Sequence, residues 1–120
     1  VAAGAQCDLP HAIDTFDLKV PRADTLAPAF TQQALSRHLD DNGHVNNVHL
    51  VGWLADAVPR DKRGSGTPTI VRVEFLREAL EGEVVEAAWG RHGGGVVTEL
   101  RRGDEAVARA YTEWGSSTPR

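Results

Sequence analysis

The chain has 120 residues, a formal charge of −4, 41% hydrophobic and 25% charged residues. That length fits one domain with a small core and excludes two, and that composition excludes disorder along the whole chain. Scattered basic residues exclude nucleic acid as the main partner, and no apolar run reaches the roughly 18–20 residues of a membrane span. With no signal core at its start the protein is expected to be cytosolic.

Residues 1–29 begin at Val1 in a chain without Met, which reads as a processed, trimmed or partly observed chain. They hold no sustained period and carry Pro10, Pro21 and Pro28, so they are expected to form a linker or N-terminal arm ahead of a domain at 30–120. Phe30 to Arg37 can run as a strand, and Asp40-Asp-Asn-Gly43 then supplies turn residues. Asn46 or Asn47 can cap a helix, Val48 to Val58, that is apolar on nearly every side and stops at Pro59. Four strands are expected after it: Thr69 to Arg77, Gly82 to Arg91, Gly95 to Arg101 and Glu105 to Trp114. Leu80-Glu-Gly82, Gly93-Gly-Gly95 and Gly103-Asp104 separate them, the last two as hairpin turns.

A helix apolar all round must be covered. The expected fold is therefore α+β: an antiparallel sheet of about five strands wrapped around one buried helix, the hotdog architecture. Trp53, Trp89 and Trp114 are assigned to core or interface packing.

Asp40, Asn42 and His44 alternate along a short segment that approaches the helix start, so their side chains can share one face. Free N–H groups and the positive dipole end of the helix favour a carbonyl oxygen that becomes an oxyanion. An imidazole and a carboxamide there can hold a carbonyl or a water, while a carboxylate can fix the imidazole's tautomer. Composition alone reads the same residues as an ordinary turn with a cap. A calcium loop fails, because Gly43 in sixth place puts His38 first and His49 twelfth, where acidic ligands are needed. A zinc site from His38, His44 and Asp40 lacks a supporting fourth ligand.

Leu39-Asp-Asp-Asn-Gly-His-Val-Asn-Asn-Val48, continuing to Gly52-Trp53, resembles the signature D-L-D-x-N-x-H-V-N-N-V…G-W of plant and bacterial acyl-ACP thioesterases. Val73-Glu-Phe-Leu-Arg-Glu78 resembles that family's strand ending in an Arg-Glu pair, and the likeness runs from Phe30 to Trp114. It implies the second of two tandem hotdog units, preceded by an interdomain linker. It further implies that Asp40, Asn42, His44 and Glu78 are the catalytic set, with Glu78 as the base that activates water. Asn42 and His44 would then position that water and polarise the thioester, and Asp40 would orient the network.

Two departures bear on mechanism. The family's Asp at the start of D-L-D is His38 here, expected to alter the electrostatics of the entrance. The Cys that commonly follows the Glu in plant members is Ala79, which removes a thiolate nucleophile and leaves direct attack by water; Cys7, in the expected linker, is a poor substitute.

The expected reaction is hydrolysis of an acyl-ACP thioester to free acid and carrier thiol, without metal or organic cofactor. An acyl-CoA thioesterase is the near alternative, and a non-catalytic hotdog that binds an acyl carrier is the more distant one. A hotdog hydratase or dehydratase fits the Asn-x-His-Val-Asn-Asn pattern less well. Asn46, Asn47, Val48, Val51 and Leu54 are expected to contact substrate along the helix. Arg60, Lys62 and Arg63 are candidates for docking an acidic carrier, with a solvated loop as the alternative. Pairing with a second hotdog unit, as a homodimer or with an N-terminal half, is expected because a lone unit leaves a sheet edge and part of the acyl channel open.

Overall fold

The computed structural model describes residues 20–23, 25–64 and 66–115. Five strands, β1 (Ala27–Gln33), β2 (Pro68–Phe75), β3 (Val84–His92), β4 (Gly95–Arg102) and β5 (Glu105–Trp114), form one sheet in the order β1-β3-β4-β5-β2. All four pairings are antiparallel. Among the described residues one α-helix, α1 (Asn47–Asp56), precedes β2. No helix among the described residues is long and apolar enough to cross a membrane.

Two of the strands match their expected bounds almost residue for residue, because Gly93-Gly94 and Gly103-Asp104 turn the chain sharply between β3, β4 and β5. The first strand does not. It starts at Ala27 and ends at Gln33, where Phe30 to Arg37 was expected, and a 3₁₀ turn (Ser36–His38) takes up the remainder. Pro28 is compatible with that placement because β1 lies at the sheet edge, and its pairing with β3 shifts register between Pro28 and Phe30.

Helix α1 starts where the Asn46 side chain accepts the Val48 N–H at 3.0 Å, and it ends just before Pro59. Leu50, Trp53, Leu54 and Ala57 pack against Val85, Ala87, Leu100, Ala108 and Ala110 of the sheet. Burial of a leucine such as Leu50, Leu54 or Leu100 contributes about 1.5–3 kcal/mol. The sheet covers only this side of the helix. Val48 is 66% exposed and Val51 39%, so the all-round apolar character of α1 is not used up among the described residues.

The other face of the sheet is covered as well. Val20 and Ala23 pack on Val97 and Tyr111, and the chain passes so close to β3 that a Cβ on Gly90 would lie 2.2 Å from the Thr25 carbonyl oxygen. This is the described part of the stretch expected as linker or arm; residues 1–19 lie outside the described residues. Beside it runs a row of charges from neighbouring strands: Arg109 Nε donates to Glu99 Oε1 at 3.0 Å, and Arg109 Nη1 lies 3.5 Å from Glu74 Oε1. Covered on both faces, β4 is buried from Gly95 to Leu100.

Candidate active site

The site forms where the turn after β1 meets the start of α1. Leu39 bridges Val45, and the Asp40 N–H donates to the His44 carbonyl at 2.8 Å, so the segment folds back on itself. Asp40 Oδ1 accepts the N–H groups of Asn42 at 2.9 Å and of His44 at 3.1 Å. Those donors, His44's first, hold the Asp40 carboxyl below its ordinary range. Among the described residues no hydrogen bond joins this carboxylate to the imidazole. Asp40 therefore shapes the backbone that carries His44, where contact with the ring was expected.

A second set of backbone contacts brings in the segment after β2. His44 bridges Leu80, and the Val45 N–H donates to the Ala79 carbonyl at 2.8 Å. Glu78 Oε1 consequently lies 3.3 Å from His44 Nε2. The glutamate backbone is anchored separately, its carbonyl accepting from Arg102 Nη1 at 2.9 Å. Neither Arg77 nor Arg72 competes for the carboxylate. Arg77 turns to Glu105 at 3.6 Å, and Arg72 lies over the Tyr111 ring with 5.7 Å to its centroid.

Asp40, Asn42, His44 and Glu78 line one cavity of about 650 Å³, together with Asn46 and Asn47. Leu50, Phe75 and Leu76 give it an apolar wall, and Arg77 reaches its lining too. None of these four, nor Val45 beside them, was expected to line the site. Phe75-Leu76-Arg77 directly precedes Glu78, which is the signal that was available. At the helix start the Asn46 N–H donates to the His38 carbonyl, the His49 and Leu50 N–H groups donate to the Asn46 carbonyl, and the Asn46 side chain takes the Val48 N–H. The Asn47 N–H is left without a partner among the described residues, on the residue that also lines the cavity.

The remaining candidates lie elsewhere. Val48 and Val51 face outward, and Leu54 is fully in the core, so none of the three lines this cavity. Arg60, Lys62 and Arg63 follow α1, whose 10 residues span about 15 Å, at the end opposite Asn47. There Lys62 lies 3.7 Å from Asp61, and Arg63 Nε donates to the Val58 carbonyl at 3.0 Å. Ala79 is fully buried, and Cys7 falls outside the described residues.

His38 is not at an entrance. It is 5% exposed, and its Nδ1 accepts the Leu35 N–H at 3.0 Å, which withdraws it from the zinc alternative. Among the described residues no group of three or more His, Cys, Asp or Glu side chains is arranged to hold a metal ion.

Sheet, helix and site together define a hotdog-fold domain of the thioesterase type. Residues 32–116 match the acyl-ACP thioesterase C-terminal domain, and the chain belongs to the acyl-ACP thioesterase family. It is 30% identical over 118 residues to a chloroplastic palmitoyl-acyl carrier protein thioesterase of Cuphea hookeriana, a match covering 89% of this chain and 28% of that protein. A palmitoyl-acyl carrier protein thioesterase of Arabidopsis thaliana is 36% identical over 98 residues, covering 68% of this chain and 23% of that one. Among solved structures, the 12:0-ACP thioesterase from Umbellularia californica superposes with a TM-score of 0.65 at 26% identity, over 83% of this chain and 40% of that chain. The chain thus spans about a quarter of the length of these curated relatives.

Proposed function

We propose that this domain carries the catalytic residues of an acyl-ACP thioesterase and hydrolyses an acyl-ACP thioester to free acid and carrier thiol. The observation that carries the reading is the convergence of Asp40, Asn42, His44 and Glu78 on one cavity at the start of α1. The names of the relatives supply the substrate class.

In the proposed reaction the thioester carbonyl lies at the helix start, near the Asn47 N–H and the Asn42 carboxamide. Water attacks the carbonyl carbon while Glu78 takes its proton, and the negative charge on the oxygen is stabilised by those donors and the helix dipole. The tetrahedral intermediate expels the thiolate as the C–S bond breaks, and the proton held by Glu78 passes to sulfur. His44, 3.3 Å from Glu78, keeps the carboxylate aimed and polarises the carbonyl or the water. No covalent acyl-enzyme is formed.

The test is release of free acid from acyl-ACP and from acyl-CoA offered at equal concentrations. Faster turnover of the ACP ester supports the assignment, faster turnover of the CoA ester moves it to an acyl-CoA thioesterase, and tight binding without turnover makes the domain a carrier-binding module.

The proposed partner is a second hotdog unit, another copy or an N-terminal unit. Supporting it are the open edge of β2, the exposed Ile70, Val71 and Phe75 on that strand, and the exposed Val48 and Val51 of α1. Full activity in a monomer containing a single hotdog unit overturns it. Arg60, Lys62 and Arg63 are the proposed docking patch for the acidic carrier; unchanged activity at low salt after reversal of all three charges removes that assignment.

A further inference from the structure

Residue 38 holds both ends of the loop that presents the site. Its carbonyl accepts the Asn46 N–H at 2.8 Å, which sets the cap of α1, and its ring nitrogen Nδ1 accepts the Leu35 N–H at 3.0 Å. The ring itself is wedged against the helix, edge-on to Trp53 at 5.0 Å and to His49 at 4.9 Å between centroids. The segment between these anchors carries Asp40, Asn42 and His44, and it is further held by the bridges of Leu39 with Val45 and of His44 with Leu80.

The Leu35 contact requires a neutral imidazole. A nitrogen that accepts an N–H carries no proton, so the ring must hold its single hydrogen on Nε2. The titratable and charged groups that face it are His49 of α1 and Arg37 of its own turn, and Trp53 adds no charge. Among the described residues no carboxylate pairs with it. Protonation would place a second N–H against the Leu35 N–H and bury a positive charge with no partner.

We infer that His38 is a positioning residue for the proposed thioesterase site, holding the Asp40–His44 loop against α1 while neutral and releasing it when protonated. Burial, followed by the nearby Arg37 and His49, keeps its pKa below the ordinary value of 6.5. The neutral form therefore prevails at neutral pH, and the loop loosens only as pH falls through that lowered value. The inference rests on the proposed function for its catalytic consequence, although the loop release itself does not.

Three measurements test it. First, ¹⁵N spectra of the wild-type protein should report an Nε2–H tautomer for His38; an Nδ1–H tautomer at neutral pH overturns the inference. Second, hydrogen exchange of the Leu35 and Asn46 amides, corrected for intrinsic pH dependence, should accelerate on acidification in wild type and not in His38→Asn, whose Oδ1 accepts the same N–H without titrating. Equal acid response in the two proteins overturns it.

Third, His38→Ala should lower kcat on the order of a hundredfold with a smaller effect on KM, because a misplaced loop loses geometry more than binding. His38→Asn should recover most of that loss and lack the part of the acid limb that wild type shows. An acid limb identical in wild type and His38→Asn overturns the inference while leaving the function intact. The predicted exchange behaviour in a protein that turns over no thioester sustains the loop release and refutes the function instead.

Discussion

His44 Nε2 and Glu78 Oε1 stand 3.3 Å apart although one belongs to the turn before α1 and the other to the segment that follows the edge strand β2. Backbone contacts, His44 with Leu80 and Val45 with Ala79, create the meeting. Both side chains are partly exposed, so removing either should leave the fold intact. Glu78→Gln and His44→Ala are each expected to lower kcat by about 10²–10⁴-fold with unchanged thermal unfolding. Full turnover in both variants would sink the assignment.

Asp40 predicts a pH dependence whose sign follows from its two backbone donors. Its folded pKa lies below the ordinary 3.8, so between the two values the unfolded chain binds more protons than the folded one. Its contribution is complete above about pH 3.8 and is lost as pH falls through the lowered value. Urea midpoints of wild type and Asp40→Asn should differ at neutral pH and converge in strong acid. A constant gap across that range would contradict the carboxylate's role.

On the outer face of the sheet Glu99 and Arg109 are each 6% exposed in their side chains and bonded to one another. Among the described residues Glu99→Ala leaves the buried guanidinium with only the longer contact to Glu74, and it should destabilise the fold by about 3–5 kcal/mol. The double variant Glu99→Leu, Arg109→Leu is expected to lose much less. A double variant as unstable as the single one would mean that the pair itself stabilises the sheet.

Gly90→Ala places a methyl group 2.2 Å from the Thr25 carbonyl oxygen and 2.6 Å from the Ala23 Cβ. The segment around Val20 must lift from the sheet, with a loss of about 1–3 kcal/mol. Limited proteolysis near Arg22 should accelerate relative to wild type. Unchanged cleavage would show that the segment is not held there.

Val48 and Val51 face solvent in this chain, so Val48→Asp and Val51→Asp should change its own stability by no more than about 0.5 kcal/mol. Association with a second hotdog unit should weaken by at least an order of magnitude, since a desolvated carboxylate would face an apolar surface. Light scattering over a concentration series decides it, and an unaltered association would clear this face of any part in pairing.

Much of the fold was legible because its punctuation is local. Gly93-Gly94 and Gly103-Asp104 mark the hairpins, Asn46 and Pro59 bracket the helix, and these depend on backbone conformation and one local side-chain cap. The start of β1 was not legible, because Pro28 looks like a strand breaker until the strand is known to lie on an edge. Asp40, Asn42 and His44 could be grouped by alternation, yet Glu78 entered only through family resemblance: its approach to His44 is a tertiary contact that no local spacing encodes. His38 was misplaced for the same reason, since nothing in His38-Leu39-Asp40 reveals that Trp53 and His49 will bury the ring. The charges on the outer face did leave a trace, as Glu99 and Arg109 each stand next to apolar residues, Leu100 in β4 and Ala108 and Ala110 in β5.

The double covering of β4 has a mechanical consequence. A strand sealed on both faces from Gly95 to Leu100 opens only when the whole sheet does, whereas the loop from His38 to Asn46 is stitched on by a few bridges and caps. The molecule thus divides into a slow scaffold and a quick appendage. The appendage can loosen and reclose many times within the lifetime of the scaffold, so wear at the site and collapse of the domain run on separate clocks.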